Sequence, residues 1–170
     1  MIKQDISEKA AKIVYLAIGS NLGNRINNIE MAKIKLSENK IKILKTSSYY
    51  ETLSWPDNNN PKFYNIVLKV KTNFDVIKLL SICKKIEKSL GRKKTIVNSP
   101  RECDIDILDY DMTSTTGSIN LPHPRMHQRN FVLIPLFEID KNWIHPISKH
   151  HIKTLIFSLP NIDISSIKQI

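Results

Sequence analysis

Residues 99–111 read SPRECDIDILDYD, and the fold turns on whether their centre is a strand. Side chains of a strand alternate between faces, so Cys103, Ile105 and Ile107 point one way while Asp104, Asp106 and Leu108 point the other. Aspartate is disfavoured in strands, and a lone Asp-x-Asp is more often a polar face turned to water. At a rise of about 3.3 Å per residue the two aspartate Cα atoms lie roughly 6–7 Å apart, close enough for their oxygens to converge on one or two cations. Left uncompensated, the two carboxylates repel each other.

Working outward, KIVYLAIG (12–19) is a nearly continuous apolar strand, as expected at the centre of a sheet. GSNLGNR turns into a helix starting near Asn24 or Arg25, with Ile26, Ile29, Ala32 and Leu36 on one face. ILKTSSYYET (43–52) reads as a second strand, LSWPDNNNP as a loop, and KFYNIVLKVKT (62–72) as a third strand. In that third strand Tyr64, Ile66, Leu68 and Val70 share one face, with Phe63, Asn65 and Val67 on the other. Asp75 caps a helix whose apolar stripe is Val76, Leu79, Leu80, Cys83, Ile86 and Leu90, and Gly91 ends it. With residues 103–108 as the fourth strand, the order becomes β-α-β-β-α-β, an α+β ferredoxin-like core. Two helices then cover one sheet face, and the aspartates share the opposite, uncovered face with Phe63 and Asn65. A short helix near Gln128 to Phe137 and a further loop and helix beyond residue 140 are expected as C-terminal additions. A single domain over residues 1–170 is expected, with 1–12 as an extension and 141–170 as a C-terminal segment.

The chain has 26 basic and 16 acidic residues, a net charge of +10, which suggests a polyanionic partner: nucleic acid, a membrane surface or a phosphorylated small molecule. Lysine supplies most of this charge, and four of the five arginines (Arg92, Arg101, Arg125, Arg129) fall between residues 92 and 129. Arginine confined to the segment that holds the aspartates points to bidentate phosphate binding there. No P-loop pattern is present, so phosphate would be held by metal and arginine. The N-terminal residues form neither a signal peptide nor a membrane span, which leads to an expectation of a cytoplasmic protein. Cys83 and Cys103 are read as core thiols. An RNA-recognition module shares the strand order and the charge, but its aromatic strand motif is missing.

Six stretches in order, YLAIGSNLGNR, SSYYET, NPKFYNIVLKV, IEKSLGR, PRECDIDIL and LPHPRMHQRNFVLIPLFEI, resemble the 6-hydroxymethyl-7,8-dihydropterin pyrophosphokinases of folate synthesis. The resemblance implies transfer of pyrophosphate from ATP, with two Mg²⁺ ions, to the hydroxymethyl group of the pterin, leaving AMP. It implies that Asp104 and Asp106 bind the metal and that Arg92 and Arg101 meet the triphosphate. Lys84, Glu87, Lys94, Ile107, His123 and Arg129 match positions of the ATP site. Asn65 matches the amide that reads the pterin edge, with Phe63 beside it, Phe131 as the stacking aromatic and Thr52 in the pocket wall. ATP and the pterin are the expected partners of a monomer that engages neither nucleic acid nor membrane.

The resemblance has gaps. Val97, Asn98 and Ser99 stand where the family has a basic residue, a variable residue and glycine, and Trp55 takes the place of a lid aromatic. Asp109 and Asp111 are read as turn residues. His127, His145, His150 and His151, with no acid at metal-ligand spacing, are read as solvated.

Overall fold

The computed structural model describes residues 10–54, 59–93 and 99–170. β1 (Lys12–Ser20) is followed by α1 (Arg25–Glu38), β2 (Lys42–Thr46), β3 (Tyr50–Thr52), β4 (Phe63–Thr72), α2 (Val76–Ser89) and β5 (Asp104–Tyr110). After a 3-10 turn at Met126–Gln128 come α3 (Asn130–Ile139), α4 (Ile152–Phe157), α5 (Asn161–Ser166) and β6 (Lys168–Gln169). The sheet runs β5-β1-β4-β3-β6, with β2 also paired to β4, and every pairing is antiparallel. This is the expected β-α-β-β-α-β succession, with its second strand broken in two.

The break has a local cause. The Ser47 hydroxyl accepts the N–H of Val67 at 2.9 Å, so a side chain replaces a main-chain acceptor in the ladder between β2 and β3. The helices start where side chains can cap them: Asn24 accepts from the N–H of Asn27 and Asp75 from that of Lys78. α2 ends at Leu90, and Gly91 takes φ +107°, a conformation that side chains disfavour.

Two apolar layers flank the sheet. On one side Val14, Leu16, Ile18, Ile66, Leu68, Ile105 and Ile107 pack with Ile29, Ala32 and Leu36 of α1 and with Leu79, Ile82, Cys83 and Ile86 of α2. Ile26, expected on that buried face, is 47% exposed at the start of α1. On the other side Tyr15, Val67 and Leu108 pack with Val132, Leu133 and Leu136 of α3, with Trp143, and with Ile152 and Leu155 of α4. This second face was expected to be open; the segment after residue 120 covers it except at one end, where it leaves a pocket.

A bulge in β5 decides what that cover meets. Tyr15 pairs with Asp109 and Leu16 with Ile107, which leaves Leu108 without a partner. Asp109 is thereby turned onto the same face as Tyr15. It is a buried strand residue, not the turn residue expected, and it accepts hydrogen bonds from the Trp143 indole at 2.9 Å and the Met112 N–H at 3.0 Å. Asp111 does lie in the turn, ion-paired to Lys12. His145 is buried as well: its Nδ1 accepts the N–H groups of Ile147 and Ser148, and its ring stacks edge-on against Trp143 and His127. His127 and His150 are exposed, and the His151 side chain caps α4. Among the described residues no helix is long and apolar enough to cross a membrane.

Candidate active site

The uncovered end of the outer sheet face opens into a pocket of about 440 Å³, within the range of small-molecule sites. Its floor is set by strand register. Gly19 of β1 pairs with Asn65 of β4 on one side and Asp104 of β5 on the other, and Ala17 pairs with Val67 and Asp106 on the next such rung. Gly19 has to be glycine, because a Cβ there would lie 2.8 Å from Asn65 Oδ1 and 3.3 Å from a Phe63 ring carbon.

One half of the pocket is ionic. Asp104 receives Arg92 on Oδ1 and Arg101 on Oδ2, both at 2.5 Å. Burial opposes its charge, but Arg101 and Arg92 outweigh burial and hold the carboxyl below its ordinary range. Burial likewise works against the Arg92 cation, yet Asp104 and Glu87 raise its pKa. Asp106 accepts from Arg129 at 3.2 Å and lies 3.8 Å from His123 Nε2. Burial lowers the pKa of that imidazole; Asp106 works against the shift, and Arg129 and Arg125 work with it. The Nε of Arg101 is buried and has no hydrogen-bond partner among the described residues. An unpaired buried donor costs about 1–3 kcal/mol, and such exceptions call for an explanation, such as a missing ligand.

The other half sets aromatic and aliphatic side chains beside small neutral polar ones. Thr52, Leu53, Ser54, Phe63, Asn65 and Phe131 line it. The Asn65 amide donates to Thr52 Oγ1 at 2.9 Å. Two arginines join the halves: Arg101 lies over the Phe63 ring at 5.1 Å, and Arg129 over Phe131 at 5.4 Å.

The pocket thus gathers Thr52, Phe63, Asn65, Arg101, Asp104, Asp106, Arg129 and Phe131 from the residues marked in the sequence. Arg92 and His123 stand just behind the aspartates. Glu87 is an internal anchor, 2% exposed, which accepts from the Ile105 N–H at 2.7 Å, from Lys84 at 2.8 Å and from Arg92 at 2.8 Å. It holds α2 to β5 and fixes Arg92, while Lys84, bonded to it, also helps keep the Asp104 carboxyl ionised. The Ile107 side chain packs in the helix-side core, away from the pocket. Lys94, Trp55, Val97 and Asn98 lie outside the described residues.

The sequence reading missed several neighbours. Asn21, 2% exposed, accepts the N–H of Arg101 at 2.8 Å and donates to the Pro61 carbonyl at 3.1 Å, so it fixes the loop that carries Arg101. Its signal was the GSNLGNR turn after β1. Gln128, Asn130, Ile162, Asp163 and Ser166 also line the pocket, and nothing periodic in the sequence marks them, whereas Arg125, which lines it too, belongs to the arginine cluster marked in the sequence.

Among the described residues no group of three or more His, Cys, Asp or Glu side chains could hold a metal alone. Mg²⁺ is normally held through one or two carboxylates, with substrate phosphates and water completing its shell. Asp104 and Asp106 facing one pocket beside arginines fit that requirement.

The family model described as 7,8-dihydro-6-hydroxymethylpterin-pyrophosphokinase (HPPK) matches residues 15–141. The chain is 45% identical over 141 residues to the 2-amino-4-hydroxy-6-hydroxymethyldihydropteridine pyrophosphokinase of Aquifex aeolicus, covering 82% of this chain and 88% of that one. It is 41% identical over 155 residues to the folic acid synthesis protein fol1 of Pneumocystis carinii, covering 91% of this chain but only 21% of that longer protein. The structure superimposes on wild-type Plasmodium falciparum HPPK-DHPS with a TM-score of 0.73, covering 96% of this chain and 45% of the other. At 17% identity that likeness speaks for the fold alone. The match over most of the chain, together with a pocket that sets paired carboxylates and arginines beside an amide-bearing cleft, makes this protein a member of the 7,8-dihydro-6-hydroxymethylpterin-pyrophosphokinase family.

Proposed function

We propose that this pocket transfers the β,γ-pyrophosphoryl group of ATP to the hydroxymethyl oxygen of 6-hydroxymethyl-7,8-dihydropterin and releases AMP, with Asp104 and Asp106 as the Mg²⁺ ligands. The observation that carries this reading is the junction of the two halves: Asp104, Asp106, Arg101 and Arg129 line the same cavity as Asn65, Phe63 and Phe131. The pterin ring meets the aromatic half, where the Asn65 amide can offer both a donor and an acceptor to the heterocycle. Its hydroxymethyl group then points to the ionic half. There a bond forms from that oxygen to the β-phosphorus as the bond from the β-phosphorus to the AMP oxygen breaks.

Bound Mg²⁺ would neutralise phosphate charge and orient the triphosphate. The chain's own contribution is positioning and charge stabilisation, the main resource of phosphoryl-transfer sites. Arg101 brings a guanidinium whose Nε is unpaired among the described residues, and the Asn21 contact to its main chain fixes where it starts. Arg92 is held by Glu87 and Asp104. A phosphate oxygen entering near Asp104 would therefore find two guanidinium forks already in place.

AMP formation that requires both ATP and hydroxymethyldihydropterin tests the reading directly. ATP consumption independent of the pterin, or calorimetric binding of a short RNA in preference to Mg²⁺-ATP, would overturn it.

A further inference from the structure

We propose that residues 160–170, which lie beyond the residues matched by the family model, form a strap that walls the pterin half of the pocket and positions Phe131 through Asn130. The inference rests on the assignment of Phe131 and its neighbours to pterin binding. Three residues of the segment, Ile162, Asp163 and Ser166 of α5, line the pocket directly. Ile162 is 75% exposed, an apolar side chain left uncovered at the cavity, where a flat ring would shield it.

The strap is fastened at both ends. Ile164 packs against the core beneath α3, and Leu159, just before the segment, is buried. At the far end β6 pairs with β3, Tyr50 opposite Gln169 and Glu51 opposite Lys168. The Ile170 N–H donates to the Tyr49 carbonyl at 3.0 Å, and the Gln169 amide to Ser48 Oγ at 2.9 Å. β3 carries Thr52, the hydrogen-bond partner of Asn65. The strap therefore borders the pocket from the strand that holds one of its walls.

Asn130 makes the second connection. Its amide nitrogen donates to the Asp163 carbonyl at 2.6 Å and lies 3.4 Å from Ser166 Oγ, while its oxygen accepts the N–H of Phe131 at 2.7 Å. One side chain thus ties the first turn of α3 to α5 and pins the main chain of the aromatic next to it. Phe131 in turn carries Arg129 over its ring. A shift of α5 is transmitted to the ring that faces the heterocycle before it reaches the aspartates on β5. The expected signature is a loss confined to the pterin.

The test compares the full chain, a chain shortened after Leu159, Asn130→Ala, and the two changes combined. Hydroxymethyldihydropterin binding is measured by calorimetry with Mg²⁺ and α,β-methylene-ATP, and binding of the ATP analogue is measured alone. The shortened chain should lose about tenfold or more in pterin affinity. Asn130→Ala should lose about three- to tenfold, the value of one hydrogen bond, with affinity for the ATP analogue unchanged in both. Because both changes act through one contact, the combined variant should bind no worse than the shortened chain. Unchanged pterin affinity in the variants, or equal losses for both ligands, would overturn the strap. If the shortened chain fails to fold, Asn130→Ala decides by the same comparison of ligands. AMP formation by the full chain is followed in parallel: its absence overturns the reaction while the affinities still judge the strap, and a full chain that binds no pterin overturns both.

Discussion

β5 carries carboxylates in two settings only a few residues apart. Asp104 and Asp106 sit at the open end of the outer face, each within reach of a guanidinium. Asp109 is turned onto the covered part of the same face by the bulge and meets an indole N–H and a main-chain N–H, but no cation among the described residues that bond to it. Burial opposes ionisation in both places. Arginine reverses the outcome for Asp104, whose pKa falls; at Asp109 burial prevails and the pKa rises. Burial therefore does not separate a binding carboxylate from a structural one. Fixed cations at an open pocket keep the acid ionised and can also hold an anionic ligand, whereas the buried Glu87, equally paired, only anchors its helix.

The largest effect should come from removing a site carboxylate. Asp104→Ala or Asp106→Ala is expected to lower turnover by about a thousandfold or more, the scale of losing a principal electrostatic group in a preorganised site. The aspartates are not left to repel each other, so Asp104→Ala deprives Arg101 of its carboxylate, leaves Arg92 with Glu87 alone, and should also lower the melting temperature. Rates of AMP release near wild type in either variant would erase the distinction between the two settings.

Arg101→Lys keeps the charge and loses the fork. Affinity for Mg²⁺-ATP should be largely retained while the single-turnover rate falls about a hundredfold. A lysine variant as fast as wild type would mean that Arg101 supplies charge alone.

Asn65→Leu should weaken pterin binding by about ten- to a hundredfold, the consequence of ring atoms left unpaired in a dry pocket, and ATP binding much less. Comparable losses for both ligands would make Asn65 a support of the sheet and not a reader of substrate.

Trp143→Phe addresses the other carboxylate and should leave turnover intact. Its expected cost is about 1–3 kcal/mol of stability at neutral pH, from a buried carboxylate deprived of a donor. The sign follows from linkage. The folded pKa of Asp109 is above its ordinary value of 3.8, so stability present while the acid is protonated is lost as pH rises through the folded pKa. The indole N–H restrains that pKa, and removing it raises the folded value further. The deficit of the variant should accordingly grow from acid to neutral pH in urea unfolding. A deficit independent of pH would show that the indole matters for packing alone.

The strand alternation that put Asp104 and Asp106 on one face, and Phe63 with Asn65 on the corresponding face of β4, was legible in the sequence because period-two patterning survives folding wherever one face is buried. So was α2, with its Asp75 cap and apolar stripe. The bulge at Leu108 was not, since DILDY alternates no differently from a regular strand; only pairing with Tyr15 reveals the extra residue. Glu87 was placed correctly on its helix, but an acid used internally to hold the Ile105 N–H looks in sequence like any helical glutamate. The cover over the outer face escaped for a different reason. α4 and α5 are six residues each, too short for hydrophobic periodicity to declare itself, and their positions are set by contacts with α3 and β3 that lie far away in the chain.

The rung that runs Asn65–Gly19–Asp104 works as a ruler. Neighbouring strands are held about 4.8 Å apart by main-chain hydrogen bonds, so two steps separate the Cα atoms of Asn65 and Asp104 by roughly 10 Å. No rotamer can stretch or shorten that interval, and the missing side chain at Gly19 leaves room at its midpoint for the Asn65 amide and the Phe63 ring. On the proposed reading, a substrate that presents a heterocycle to Asn65 and an alcohol oxygen towards Asp104 is gauged against that fixed base, and an analogue with one more methylene between ring and hydroxyl is expected to overshoot it.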